Sequence, residues 1–279
     1  MKKRCGVRLS MRLLLTKVNT KYIQRCNMHI MRMDIILIFV FAVICAGLVK
    51  GTCPSTCSCV DDSSGSNVNC YSKYLGRIPT LPNDTYYLDL RYNNITKIDV
   101  QLCKEMPQLH TIYISYNLII AIPETTFTDC EQLYRIDLQY NKIRSIESNT
   151  FVNMTNLYEL YLHNNKIRSL VSYTFINLTN LYQLHIAYNE ISTIEPFTFM
   201  DLPSLQYLYL YNNKIRSLES NTFINMTKLY YLNLENNAIS TIESSTFINL
   251  PSLKYLYLYG NNISDIEEHA FGNLTSLAW

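Results

Sequence analysis

The sequence predicts an α/β solenoid whose coils stack a parallel β-sheet along one side. Three observations predict it. An asparagine recurs every 24 residues, at Asn93, Asn117, Asn141, Asn165, Asn189, Asn213, Asn237 and Asn261. The same apolar frame surrounds each one; around Asn165 it is Leu157, Leu160, Leu162, Ile167, Leu170 and Leu178. A phenylalanine keeps the same register at Phe127, Phe151, Phe175, Phe199, Phe223, Phe247 and Phe271.

Each element follows from its chemistry. Leu160 and Leu162 alternate with outward residues at period two, the pattern of an extended strand with one buried face. One such strand cannot bury that face alone, but stacked copies can, in a parallel sheet with strands about 4.8 Å apart. The asparagines mark where the chain leaves the sheet, and their side chains are expected to bond backbone groups left unpaired in neighbouring coils. The phenylalanines read as a buried spine behind the sheet. The frame L-x-x-L-x-L-x-x-N-x-L resembles the signature of the leucine-rich repeat family. That resemblance implies a right-handed β–α superhelix bent into a horseshoe, with the parallel sheet on its concave side. Eight 24-residue repeats span 85–276, and 277–279 begin a ninth.

Residues 1–51 read as a secretory signal with an overlong basic leader. Lys2, Lys3, Arg4, Arg8 and Arg12 open it, an apolar run from Ile35 to Val49 follows, and Gly47 and Gly51 offer small residues for cleavage. Met28, Met31 or Met33 would start a leader of more usual length. The alternative is an uncleaved signal anchor, for which the apolar run is short. The formal charge of +2 belongs to this leader. From Thr52 onward there are 14 basic and 21 acidic residues, a net of −7. That balance argues against nucleic acid as a partner.

Residues 52–84 hold Cys53, Cys57, Cys59 and Cys70. In an exported chain such spacing reads as two disulfides, with zinc as the alternative in a reducing compartment. The stretch from Cys53 through Ile95 resembles the N-terminal cysteine-rich cap of extracellular leucine-rich repeat proteins. That resemblance implies the pairs Cys53–Cys59 and Cys57–Cys70, and a cover for the upstream edge of the first coil. Cys103 stands at a spine position and Cys130 at a leucine position of the next coil. They are either small buried hydrophobes or a bridge between the first two coils.

The outward strand positions carry tyrosine. Nineteen of the 23 tyrosines fall at positions expected to share one face. The candidate ligand-binding residues are Tyr113, Tyr134, Tyr158, Tyr161, Tyr182, Tyr207, Tyr209, Tyr211, Tyr231 and Tyr257. Tyrosine gives large contact area, a polar tip and few torsions to freeze, as protein-binding surfaces require. Its β-propensity alone is the alternative reason for it, but valine and threonine would serve that equally. Charge on the same face is mixed, including Arg135, Glu159, His110, His163 and His185. Sequons for N-glycosylation occur at Asn83, Asn94, Asn153, Asn177, Asn225, Asn262 and Asn273, none of them among the concave positions. A stripe of Lys142, Arg144, Lys166, Arg168, Lys214 and Arg216 reads as a solvated flank.

The sequence offers no phosphate loop and no nucleophile with its base, so no enzyme and no cofactor are expected. Glu159, His163 and His185 form the best cluster for a metal ion, yet solvated surface histidines explain them better. The expected function is that of an extracellular protein-binding module, a receptor-like ectodomain. The resemblance extends to Toll-like receptors, neuronal adhesion receptors and variable lymphocyte receptors; a secreted matrix protein of the proteoglycan type is the alternative. The family's C-terminal cap is not found before Trp279. Membrane attachment is therefore expected only through a missing C-terminal part, and nothing specifies an oligomeric state.

Overall fold

The computed structural model describes residues 51–220 and 222–278. The expected leader and signal lie outside the described residues. A hairpin of β1 (Ser58–Asp61) and β2 (Ser66–Asn69) opens the chain. Eight coils follow, each contributing one short strand to a single sheet: β3 (Thr85–Asp89), β4 (Thr111–Tyr113), β5 (Arg135–Asp137), β6 (Glu159–Tyr161), β8 (Gln183–His185), β10 (Tyr207–Tyr209), β12 (Tyr231–Asn233) and β14 (Tyr255–Tyr257). With the hairpin they form a ten-stranded sheet in chain order. The eight coil strands are parallel, and their register pairs residues 24 apart, as in Glu159 with Gln183 and Tyr161 with His185. Identical repeat positions therefore line up in columns across the sheet.

The return segments depart from a β–α superhelix. The sole helix among the described residues is α1, Leu102–Glu105. Elsewhere the return consists of turns and two-residue strands: β7 (Ser169–Leu170) pairs with β9 (Thr193–Ile194), and β11 (Ser217–Leu218), β13 (Thr241–Ile242) and β15 (Asp265–Ile266) form a second small sheet. Left-handed residues explain this. Tyr173 and Asn177 have φ of 62° and 63°, and Phe197 and Asp201 have 62° and 59°. Two such residues four apart interrupt any helix before it completes a turn.

The asparagine column holds the coils together as expected. Asn165 Nδ2 donates to Leu162 O in its own coil at 3.0 Å and to Leu138 O in the preceding coil at 3.0 Å. Its Oδ1 accepts from Ile143 N–H at 3.0 Å. Asn141 and Asn189 repeat the arrangement. Behind the sheet the phenylalanines stack ring on ring at 5.4–6.1 Å. Phe151, Phe175 and Phe247 are wholly buried.

Disulfides join Cys53 to Cys59 and Cys57 to Cys70, the pairing that the resemblance implied. β2 pairs with β3 and so covers the edge of the first coil. Of the two readings left open for Cys103 and Cys130, the structure takes the bridge. That bond ties coil one to coil two where the first spine position lacks a phenylalanine. In the eighth coil the apolar frame is more open: Ile266 is 54% and Phe271 36% exposed. Among the described residues no helix is long and apolar enough to cross a membrane.

Candidate functional site

Register divides the outward tyrosines into a central face and two rims. The strands themselves carry Tyr113, Tyr161, Tyr207, Tyr209, Tyr231 and Tyr257, and Tyr211 lies just beyond β10. These seven of the ten predicted residues lie on the sheet face. Tyr134, Tyr158 and Tyr182 stand one residue before their strands, on the rim where the chain enters the sheet. The nineteen outward tyrosines are therefore not one surface, because an outward side chain before or after the strand leans over the sheet's edge. Side-chain alternation in sequence marks inside from outside but does not distinguish face from rim.

On the exit rim, Tyr92, Tyr116 and Tyr140 stack at 4.2 and 4.3 Å, nearly parallel. Each has a φ of 50–56°, a conformation that costs a non-glycine residue about 1–2 kcal/mol. Ring stacking of about 0.5–1.5 kcal/mol offsets that cost. In coils four, six and seven, asparagine takes the same left-handed position at Asn164, Asn212 and Asn236, and Gly260 takes it in coil eight.

The central face has two linked clusters. In the later coils Tyr209 packs against Tyr231 at 5.1 Å, and Tyr231 against Tyr257 at 5.2 Å. Tyr209 also meets His185 at 4.8 Å, and Tyr211 lies 5.8 Å from the same imidazole. Burial pushes the Tyr161 phenol up to about 12 and raises Tyr209 and Tyr211 as well, so all three remain neutral donors. In the earlier coils Arg135 lies between two rings, its guanidinium carbon 5.2 Å from the Tyr113 centroid and 4.9 Å from that of Tyr161. It pairs with Glu159 at 3.0 Å. The expected cluster thus gains Arg135, His163 and His185. The sequence placed them on the tyrosine face, and the register of β5, β6 and β8 sets which rings they touch.

The leucine-rich repeat family profile matches residues 85–143, 131–191, 179–239 and 227–279, most of the chain and all eight coils. This protein belongs to the leucine-rich repeat family. The chain is similar to leucine-rich repeat-containing protein 3 of Danio rerio, 42% identical over 79 residues, covering 28% of this chain and 30% of that protein. The Mus musculus counterpart is 34% identical over 82 residues, covering 29% and 32%. Peroxidasin of Drosophila melanogaster is 28% identical over 88 residues, covering 32% of this chain and 6% of that protein. A crystal structure of a TLR13–ssRNA13 complex superposes with a TM-score of 0.59 at 29% identity, covering 63% of this chain and 26% of that one. The chain spans about a third or less of each of these relatives.

In this leucine-rich repeat protein the histidines do not form a metal cage. Glu159 is engaged by Arg135, and the rings of His163 and His185 stack at 3.9 Å. Among the described residues no group of three or more His, Cys, Asp or Glu is placed to hold a metal ion. Burial pulls His163 down to about 4; burial and the neighbouring His163 pull His185 down to about 3. An unfolded histidine titrates near pH 6.5. As pH falls below that value the unfolded chain takes up protons that the folded pair refuses, so stability present above pH 6.5 is lost towards pH 4 and 3. Urea midpoints at pH 7 and pH 4.5 should therefore differ more for the wild type than for a His163→Phe/His185→Phe variant. An equal drop in both proteins would show that the pair is not what titrates.

All seven sequon asparagines are exposed. Asn153, Asn177, Asn225 and Asn273 have φ of 58–65°, and Asp129, Asp201 and Asn249 share that left-handed position in other coils. Asn and Asp tolerate this backbone best after glycine, which by itself explains why the motif recurs there.

Proposed function

We propose that this chain is an extracellular, non-enzymatic binding module, part of a receptor-like ectodomain, and that it recognises a protein on the central tyrosine face. The observation that carries the reading is the cluster of Arg135, Tyr161, His185, Tyr209, Tyr211 and Tyr231 on adjacent strands. Rigid, half-buried tyrosines with a stacked arginine are the composition of interface hot spots. Three disulfides support an oxidising compartment. The sequons at exposed turns leave the face open if they carry sugar.

The TLR13 structure is a complex with single-stranded RNA. Protein is the better ligand for this face, because both of its arginines are already paired. Arg91 donates to Asp89 at 2.6 Å and Arg135 binds Glu159 at 3.0 Å. RNA binding depends on free cations that displace counterions.

The test is a Tyr161→Ser/Tyr209→Ser/Tyr211→Ser variant, compared with the wild type on an array of secreted and cell-surface proteins. Hot-spot truncations cost about 2 kcal/mol or more each, so partners held by this face should fall below detection. The thermal melt should stay cooperative. Partners retained at full signal by the variant would place binding elsewhere.

A further inference from the structure

The entry rim borders an open groove of about 500 Å³ that is separate from the central face. An unbroken ladder of rings from four coils lines it. His110, Tyr134, Tyr158 and Tyr182 stack at 4.7–5.1 Å with interplanar angles of 2–9°. Carboxamides from Gln132, Asn156 and Asn180, each two residues before a rim ring, line the same groove. Two of these amides are fixed: Asn156 Nδ2 donates to Glu131 O at 2.9 Å, and Asn180 Nδ2 to Thr155 O at 2.8 Å. Each Oδ1 is then left as the side chain's acceptor.

Three features restrict what could lie here. The rings cover one another's faces, so the ladder has no slot for a proline or an apolar side chain and presents edges and phenol hydroxyls. The lining is almost uncharged. Burial keeps His110 below its ordinary value, and Lys228, at one end, is the one lysine or arginine, with no carboxylate beside it. The rungs also repeat at 4.7–5.1 Å, whereas an extended peptide advances about 3.3 Å per residue and a polyproline helix about 3.1 Å. Neither peptide stays in step with successive coils. A chain of pyranose rings linked through opposite ring positions advances by about one rung per sugar, is uncharged, and carries hydroxyls on both edges.

We propose that this groove binds an extended, neutral oligosaccharide, about one sugar per coil, contacting the phenol hydroxyls and the carboxamides. This does not depend on what the central face binds. The test is calorimetric titration of the full chain, its own N-linked sugars trimmed enzymatically, with cellopentaose and chitopentaose; the curved maltopentaose serves as comparison. Saturable binding of an extended probe is expected, and weaker or no binding of maltopentaose. A Tyr134→Phe/Tyr158→Phe/Tyr182→Phe variant keeps the stacks and removes only hydroxyls, so affinity should fall about tenfold or more. Gln132→Trp should block the groove. The variant at Tyr161, Tyr209 and Tyr211 should bind the probe as the wild type does. Failure of both extended probes at millimolar concentration, or unchanged affinity in the triple phenylalanine variant, would overturn the proposal.

Discussion

Asn165→Ala lowers the stability of the third and fourth coils by about 1–3 kcal/mol, since it strands a buried backbone N–H and removes two donated bonds. The amide of Asn165 serves two coils at once. It satisfies Leu162 O in its own coil, and Leu138 O and Ile143 N–H in the preceding one. Leu162 O also accepts from Asn189 Nδ2 and Leu138 O from Asn141 Nδ2, so the group stranded by the loss is the Ile143 N–H. In a stacked array each coil rests only on its neighbours, so the damage should remain local. Hydrogen exchange should show lost protection at the Ile143 amide, with coil one, held by its disulfide, unaffected. Asn165→Asp tests the mechanism: the acceptor survives and both donated bonds are lost, so it too should destabilise. A fall below 1 kcal/mol for the alanine variant would mean that water replaces the amide.

Phe175→Ala is expected to cost about 3–5 kcal/mol, the range for large buried aromatics. The ring is wholly buried and stacks on Phe151 at 6.1 Å and Phe199 at 5.9 Å. Its removal leaves a cavity in a column that cannot close, because each neighbouring ring is fixed by its own coil. Phe271→Ala is the internal comparison. That ring is 36% exposed and has a phenylalanine partner on one side only, Phe247 at 5.4 Å. Its loss should cost clearly less. Denaturant melts of the two variants would measure the difference; equal costs would mean that stacking continuity contributes little.

The two predictions bear on function. The tyrosine face and both rims are columns built by register, so their geometry is only as exact as the stacking of coils behind them. Loosening the asparagine ladder at coil four should displace Tyr161 and His163 relative to His185, on the neighbouring strand.

How much was legible in the sequence depended on whether the signal was periodic. The repeat length and the asparagine ladder recur without a slip, and the inward leucines and the phenylalanine spine break only where other residues, such as Cys103 and Cys130, take their places. Each reflects a local requirement: one buried strand face, one satisfied turn, one ring behind the sheet. The pairing of Cys53 with Cys59 and of Cys57 with Cys70 was carried by resemblance, and the structure agrees. The candidate site was legible only as a set of outward tyrosines. Tyr134 and Tyr161 look alike in sequence, the second residue of one coil frame and the fifth of the next, yet one forms a rim and the other a face.

The sequence by itself determined that this protein is a leucine-rich repeat solenoid, which residues point inward, and that tyrosine dominates outside. Only the tertiary structure decided the rest. It turned the return segments into turns instead of helices, joined Cys103 to Cys130, and set Arg135 between Tyr113 and Tyr161. It also divided the tyrosines between a central face and two rims, one of them lining a groove. The reason is physical: periodicity along the chain encodes burial, whereas neighbours 24 residues apart meet only once the coils have stacked.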